Sequence, residues 1–253
     1  MMTGPSRLFS DAGGVAILSV KLVAAFFRAP IELAPLMYQL DYSGIRSWSI
    51  TALTAVFTGM VLALQFATGL ERYGGDTYTG KLVALGIVRE LGPTLTALLV
   101  GGRVGSGFAA ELGSMVVNEQ VDAIRALGAD PIKKLVAPRV LACIIALPLL
   151  TMLANVVGIL GGLVITMREV GVTATFFFSQ VTDTLGAVDL LHGLGKSLFF
   201  GYFIGVVGCF VGLNTTGGTE GVGQSTTLAV VNISITVLVS NFLLSTIFVA
   251  LYG

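Results

Sequence analysis

Few side chains in this sequence can do chemistry, and those that can stand in apolar company. Arg89-Glu90 interrupts the run Leu82–Val100, and Lys196 interrupts Leu190–Leu213. Ionisable groups at membrane depth are costly, so they face a cavity, a partner or one another. Two readings of Arg89-Glu90 stay open: a functional pair on a cavity, or a structural ion pair near the helix middle or an interface. Lys196 either adds a second charge to the bundle or snorkels to the outer interface. Ser106, in "GSG", and His192, the single histidine, are by type a nucleophile and a base. "GTEGVGQS", Gly218–Ser225, matches the phosphate-binding loop pattern except that Gln224 stands where the lysine reaches the β- and γ-phosphates. It reads as a turn before the last apolar segment, and no nucleotide site is expected there. Cys143 and Cys209 lie singly in apolar runs without metal-type spacing, and read as small hydrophobic residues.

One polar island remains, Asn118–Pro131, "NEQVDAIRALGADP". Asn118 has the side chain of a helix cap, and Glu119 and Asp122 suit a first turn, where the helix dipole favours negative charge. Gly128 suits the left-handed position after a helix, and Asp130-Pro131 ends it. The expectation is a helix of about ten residues, ~15 Å long. Val121, Ile124 and Leu127 make one stripe; Glu119, Asp122 and Arg125 make another. The stripes fit a helix with one face on a bundle and one on a partner, and equally a solvated connector.

The elements that hold these residues are long and apolar. The 253-residue chain is 55% hydrophobic and 11% charged, where a soluble domain carries about 25% charged residues. It has 33 Gly and no net charge, which points to an integral membrane protein and away from nucleic acid. The expected class is all-α. A spanning helix needs about 20 apolar residues, and five segments qualify: Trp48–Leu70, Leu82–Val100, Val140–Met167, Leu190–Leu213 and Leu228–Tyr252. Before them, residues 14–40 carry Lys21, Arg28 and Glu32, with Pro30 and Pro35 as breaks, and read as a helix lying on the membrane surface. No short apolar leader with a small-residue cleavage site opens the sequence. Lys and Arg concentrate before the first span and in the segment 101–139, read as a loop, which puts both in the cytoplasm and the C-terminus outside. Gly101-x3-Gly105, Gly158-x3-Gly162 and Gly201-x3-Gly205 are spacings that let helices approach closely, within the bundle or across a homodimer. No separate soluble domain is expected; residues 1–253 form one membrane domain.

"DAIRALGADPIKKL" is similar to the cytoplasmic loop of ABC-transporter permeases. The longer stretch Arg89–Ala142, with "LPLLTMLANVVGILGG" and "GLGKSLFFGYFIGVVGCFVGLNTTGGTEGVGQSTTLAVV", resembles the MlaE/YrbE family, the membrane subunits of MCE-type ABC lipid transporters. The resemblance covers nearly the whole chain from about Ser47. It implies a permease subunit of the bacterial inner membrane that moves lipid, with phospholipid expected. It implies a homodimer with two ATPase subunits on the cytoplasmic face and an MCE-domain protein on the periplasmic face. It casts residues 118–128 as a coupling helix docking on the ATPase through Glu119, Asp122, Arg125 and Gly128. It places Arg89 and Glu90 by a lipid cavity, with Tyr73 at its periplasmic mouth and Lys196 as a further charge. Some relatives carry an acid near Asn241; the amide here puts a charge pair between that position and Lys196 in doubt.

Two other classes stay in view. A secondary transporter or channel would need no ATPase. An intramembrane hydrolase would use Ser106 and His192, but the expected topology puts them near opposite faces of a core about 30 Å thick.

Overall fold

The computed structural model describes residues 5–28 and 32–252. Among these residues every element is helical. Helix α1 spans Pro5–Arg28 and α2 spans Leu33–Ser43. A 3-10 turn, Ile45–Ser47, leads into α3, Trp48–Glu71. Helix α4 is one rod over Asp76–Val117, and a short α5 covers Gln120–Ala126. Then come α6, Ile132–Glu169, α7, Ala174–Thr184, α8, Ala187–Leu213, and α9, Gly218–Tyr252. Five helical stretches are long and apolar enough to cross a membrane, as the sequence predicts. The protein is a multi-pass membrane protein.

The N-terminal segment differs from the single helix expected over residues 14–40. It forms two helices, and Pro30 falls outside the described residues. Pro35 sits in the first turn of α2, where its missing N–H loses no helical bond. Helix α1 buries Leu18, Leu22 and Ala25 and turns Ile17, Val20 and Val23 outward. The apolar residues are thus split between a bundle-facing and an outward stripe.

The second span is the larger correction. Residues 101–117, expected in a cytoplasmic loop, continue α4 as helix. Their two strongest charges are matched inside the fold. Arg103 donates to Ser47 Oγ at 2.6 Å and to the Tyr42 carbonyl at 3.2 Å. Glu111 pairs with the buried Arg139 at 2.8 Å. With those charges neutralised, Phe108 and Leu112 can join the main core beside Val140, Phe200, Ile204 and Ile233. At ~1.5 Å per residue, the 42 residues of α4 make a rod ~60 Å long, twice the hydrocarbon thickness.

Close helix contact comes from the glycines. A Cβ on Gly59 would lie 1.9 Å from the Gly158 carbonyl oxygen, so α3 and α6 meet backbone to backbone. Gly201 of α8 meets the Cys143 carbonyl, and Gly105 takes the Ile233 side chain of α9. All three small-residue spacings are therefore used inside one chain. Helix α7, which the sequence reading did not anticipate, is opened by Thr173, whose hydroxyl accepts from Phe176 N at 3.3 Å. It buries Phe177 against the start of α4. The outward sides of α3 and α9, with Leu53, Phe57, Ile235 and Phe242 among others, stay exposed.

Candidate functional site

The charged residues of the spans come together on the side of α4 that faces α8 and α9. Their placement starts with Pro93. It has no N–H, so it cannot satisfy the carbonyl four residues back, that of Arg89. The helix answers with a π-helical turn over Ile87–Leu91, closed by Gly92 N donating to the Ile87 carbonyl. Such widened turns recur at functional sites. Lys196 Nζ takes up the stranded Arg89 carbonyl at 3.2 Å. Gly193 lets α8 come this close, because a Cβ there would lie 2.2 Å from the Val88 carbonyl oxygen.

Lys196 is fully buried and all three of its donors are used. Beyond the Arg89 carbonyl, it donates to Glu90 Oε1 and to Ser245 Oγ, each at 2.7 Å. Glu90 is also approached by Asn241 Nδ2 at 3.3 Å and Ser245 Oγ at 3.0 Å. The single Ser245 proton has two acceptors in reach, Glu90 and the Asn241 carbonyl at 2.9 Å. Arg89 turns the other way, and its guanidinium pairs with the buried Asp189 carboxylate. Asp189 Oδ2 accepts from Gly186 N at 2.7 Å, so one carboxylate both caps α8 and neutralises Arg89. His192 stacks on Phe248 at 4.3 Å, with Nε2 4.0 Å from Glu90 Oε1.

The outcome is a neutral quartet: Arg89 with Asp189, and Glu90 with Lys196. Burial of such charges is tolerated only where each is paired and hydrogen-bonded. The side chains of Arg89 and Glu90 nevertheless stay 45% and 41% exposed, so part of each remains open to a ligand. Lys196 does not snorkel, and Asn241 meets Glu90 rather than Lys196. Asp189 and Ser245 are the members the sequence reading missed. Asp189, His192 and Lys196 recur at i, i+3 and i+7, one face of a helix, and that spacing was the available signal.

A groove of about 540 Å³ opens between α3 and α4. Leu53, Phe57, Val61, Leu62 and Leu91 make its walls, with Thr54, Thr58 and Gln65 as polar points. Leu91 is the residue after Glu90, so groove and charges share one turn of α4. Tyr73 stands apart from the quartet, 85% exposed on the turn that follows α3.

At the far end of α4 the polar island folds somewhat differently from the expectation. Asn118 ends α4 rather than starting the next helix; its N–H donates to the Ser114 carbonyl at 3.0 Å. Glu119 takes a left-handed conformation, φ 57°, and reverses the chain. Helix α5 is then seven residues long. Gly128 has φ 76°, Gly128 N donates to the Arg125 carbonyl and Ala129 N to the Ile124 carbonyl. That pair of bonds is the Schellman ending expected of a glycine here. Val121 is buried against the bundle, but Leu127, expected on the same buried stripe, is 85% exposed. Asp122 and Arg125 pair with each other at 2.7 Å on the exposed face.

The rival chemistries do not assemble. Ser106 Oγ bonds back to carbonyls of its own helix, and ~24 Å of that helix separates it from Glu90, beside which His192 lies. Residues 218–225, expected as a turn before the last span, are instead the opening helical turns of α9, and they are not a loop between strand and helix.

The comparisons with known proteins agree with this architecture. The family model described as Permease MlaE matches residues 36–247. A probable ABC transporter permease of Synechocystis is 43% identical over 249 residues, covering 93% of this chain and 95% of that protein. One from Rickettsia typhi is 39% identical over 238 residues, with 94% and 92% covered. The chloroplast protein TRIGALACTOSYLDIACYLGLYCEROL 1 of Arabidopsis thaliana is 37% identical over 244 residues, with 96% of this chain and 70% of that protein covered. With its five spans, its α4–α5 turn and a match over most of its length, the chain belongs to the MlaE family of ABC transporter permeases.

Proposed function

We propose that this permease moves a lipid, of the diacyl phospholipid class, between the bacterial inner membrane and an MCE-domain partner in the periplasm. The observation that carries this reading is the apolar groove between α3 and α4, whose wall includes Leu91, the residue after the part-exposed Arg89 and Glu90. The walls suit acyl chains, while Arg89 and Glu90 can meet a polar head-group. The name of the Arabidopsis relative is that of a galactosylated diacylglycerol, which supports a lipid cargo. Tyr73, at the end of the bundle away from α5, suits the exit side.

The chain works as a homodimer with two ATPase subunits, and it hydrolyses nothing itself. Helix α5 is the docking element, and Mg-ATP is bound by the partner. Glu119, Asp122 and Arg125 lie on the docking face, and Gly128 fixes its end. Leu127 adds an exposed apolar side chain there. The excess of Lys and Arg at this end supports a cytoplasmic side for it and for the N-terminus.

The test is purification of the native assembly followed by mass spectrometry of bound lipid. Wild-type protein is expected to retain an ATPase subunit and a stoichiometric diacyl lipid. Leu62→Trp, which fills the groove, is expected to keep the ATPase subunit and lose the lipid. Equal lipid content in the two proteins overturns the groove as the lipid site.

A further inference from the structure

On α6, Thr151, Asn155, Gly158 and Gly162 recur at i, i+4, i+7 and i+11, one stripe of a helix. The two glycines show where that stripe points. A Cβ on Gly158 would meet the Ala55 carbonyl and Ile87, and one on Gly162 would meet Val83 and the Gly59 carbonyl. The stripe therefore faces the seam between α3 and α4.

Three polar oxygens on this seam have no hydrogen-bond partner among the described residues: Thr51 Oγ1, Thr151 Oγ1 and Asn155 Oδ1. Thr51 is 1% exposed, Thr151 0% and Asn155 6%. A threonine in a long helix ordinarily bonds back to the carbonyl four residues earlier. Thr68, Thr166 and Thr236 all do so here. Thr51 and Thr151 do not, and an unmatched buried hydroxyl or amide oxygen is costly.

Thr51, Gly92, Thr96 and Ala154 line a recess of about 20 Å³. One water needs roughly 10–15 Å³ of such space and two to four polar partners. Asn155 Oδ1 lies against Gly92, which lines the recess; a Cβ there would be 1.9 Å from it. Glycine at position 92 is what admits the amide. Thr51 Oγ1 and Asn155 Oδ1 are unpartnered among the described residues, and Thr96 lines the same recess, which has room for one molecule. A hard cation takes six or more oxygens, twice this number.

We propose that the recess between α3, α4 and α6 is a binding site for one ordered water, held by Thr51 Oγ1, Thr96 Oγ1 and Asn155 Oδ1. The water donates to the Asn155 oxygen and to one hydroxyl, and accepts from the other. The site lies on the α3 side of α4, away from the charged quartet. Thr54, Thr58 and Leu91 line both the recess and the groove, so the water sits at the groove's inner end. Its role rests on the lipid reading: α3 and α4 can part around a chain without leaving bare oxygens in hydrocarbon. The site itself does not depend on that reading.

The test is X-ray hydroxyl-radical footprinting of the full-length protein in nanodiscs, since radiolysis of a bound water oxidises the side chains beside it. Ile87 and Leu95, which line the recess, are expected to be oxidised in wild-type protein. Their modified fraction is expected to fall at least fivefold in the isosteric Thr51→Val protein and further in Thr51→Val/Asn155→Leu. No oxidation of these residues in wild type, or an undiminished yield in Thr51→Val, overturns the site. Footprinting reads neither transport nor bound lipid, so a failure of the lipid reading is scored separately.

Discussion

Glu90 and Lys196 are unequal partners, and cutting each is expected to cost a different amount. Lys196 has no exposed surface, whereas the Glu90 side chain is 41% exposed. Glu90→Ala leaves a buried ammonium with only Ser245 Oγ and the Arg89 carbonyl. A buried charge stripped of its counter-ion typically costs about 3–5 kcal/mol. Lys196→Met leaves Glu90 with Asn241 Nδ2, Ser245 and access to water. That loss resembles a charged hydrogen bond, about 1.5–3 kcal/mol. The double protein Glu90→Ala/Lys196→Met buries no lone charge and is expected to lie above Glu90→Ala in stability, with a coupling of about 2 kcal/mol. The assay is unfolding in mixed micelles of rising SDS fraction, followed by the fluorescence of Trp48, the single tryptophan. Equal losses in the two single variants, or strict additivity in the double, would refute the buried pair.

Two further outcomes are expected. Leu127→Ala removes an 85% exposed side chain, and should weaken ATPase-subunit retention about tenfold or more if that leucine is buried on docking; retention equal to wild type removes Leu127 from the contact. Gly59→Ala pushes a Cβ to 1.9 Å from the Gly158 carbonyl and should lower stability by about 1–3 kcal/mol in the same SDS titration, with no change meaning that the α3–α6 seam is looser than described.

How much of this was legible in the sequence depends on whether the deciding interaction is local. Five spans follow from composition, because burying apolar length in lipid needs no knowledge of neighbours. The end of the second span does not. Arg103 and Glu111 argue for water until Ser47 and Arg139, 56 residues before one and 28 after the other, are seen to neutralise them. The same holds at the site. Arg89, Glu90 and Lys196 are visible as charges in apolar runs, but Asp189 reads as an ordinary first-turn acid. It is one, and its second oxygen holds Arg89 as well. Asn118 shows the opposite case. Its side chain suits a helix start, yet the packed rod of α4 runs up to it and makes it an end. Gly128, whose role depends only on its own backbone, was read correctly.

The length of α4 matters for how the family's two tasks can be joined. From Glu90 to Val117 the chain is one helix, ~40 Å long, so the charged quartet and the proposed docking element share a single rod. A straight rod would transmit any push at α5 unchanged. This one has π-helical turns at Ile87–Leu91 and Gly101–Gly105, and such turns are where helices bend. The lower turn is held from both sides, by Arg103 on Ser47 and by Ile233 of α9 filling the notch at Gly105. The upper turn is held by Lys196 on the carbonyl that Pro93 leaves free. Under the proposed coupling, a tilt started at α5 would carry α9 with α4 at the lower turn and would be resisted at the upper one by the hydrogen bonds of Lys196 to Glu90 and the Arg89 carbonyl. In that coupling, the quartet is the point where bending of α4 must either break the Glu90–Lys196 contact or carry α8 along.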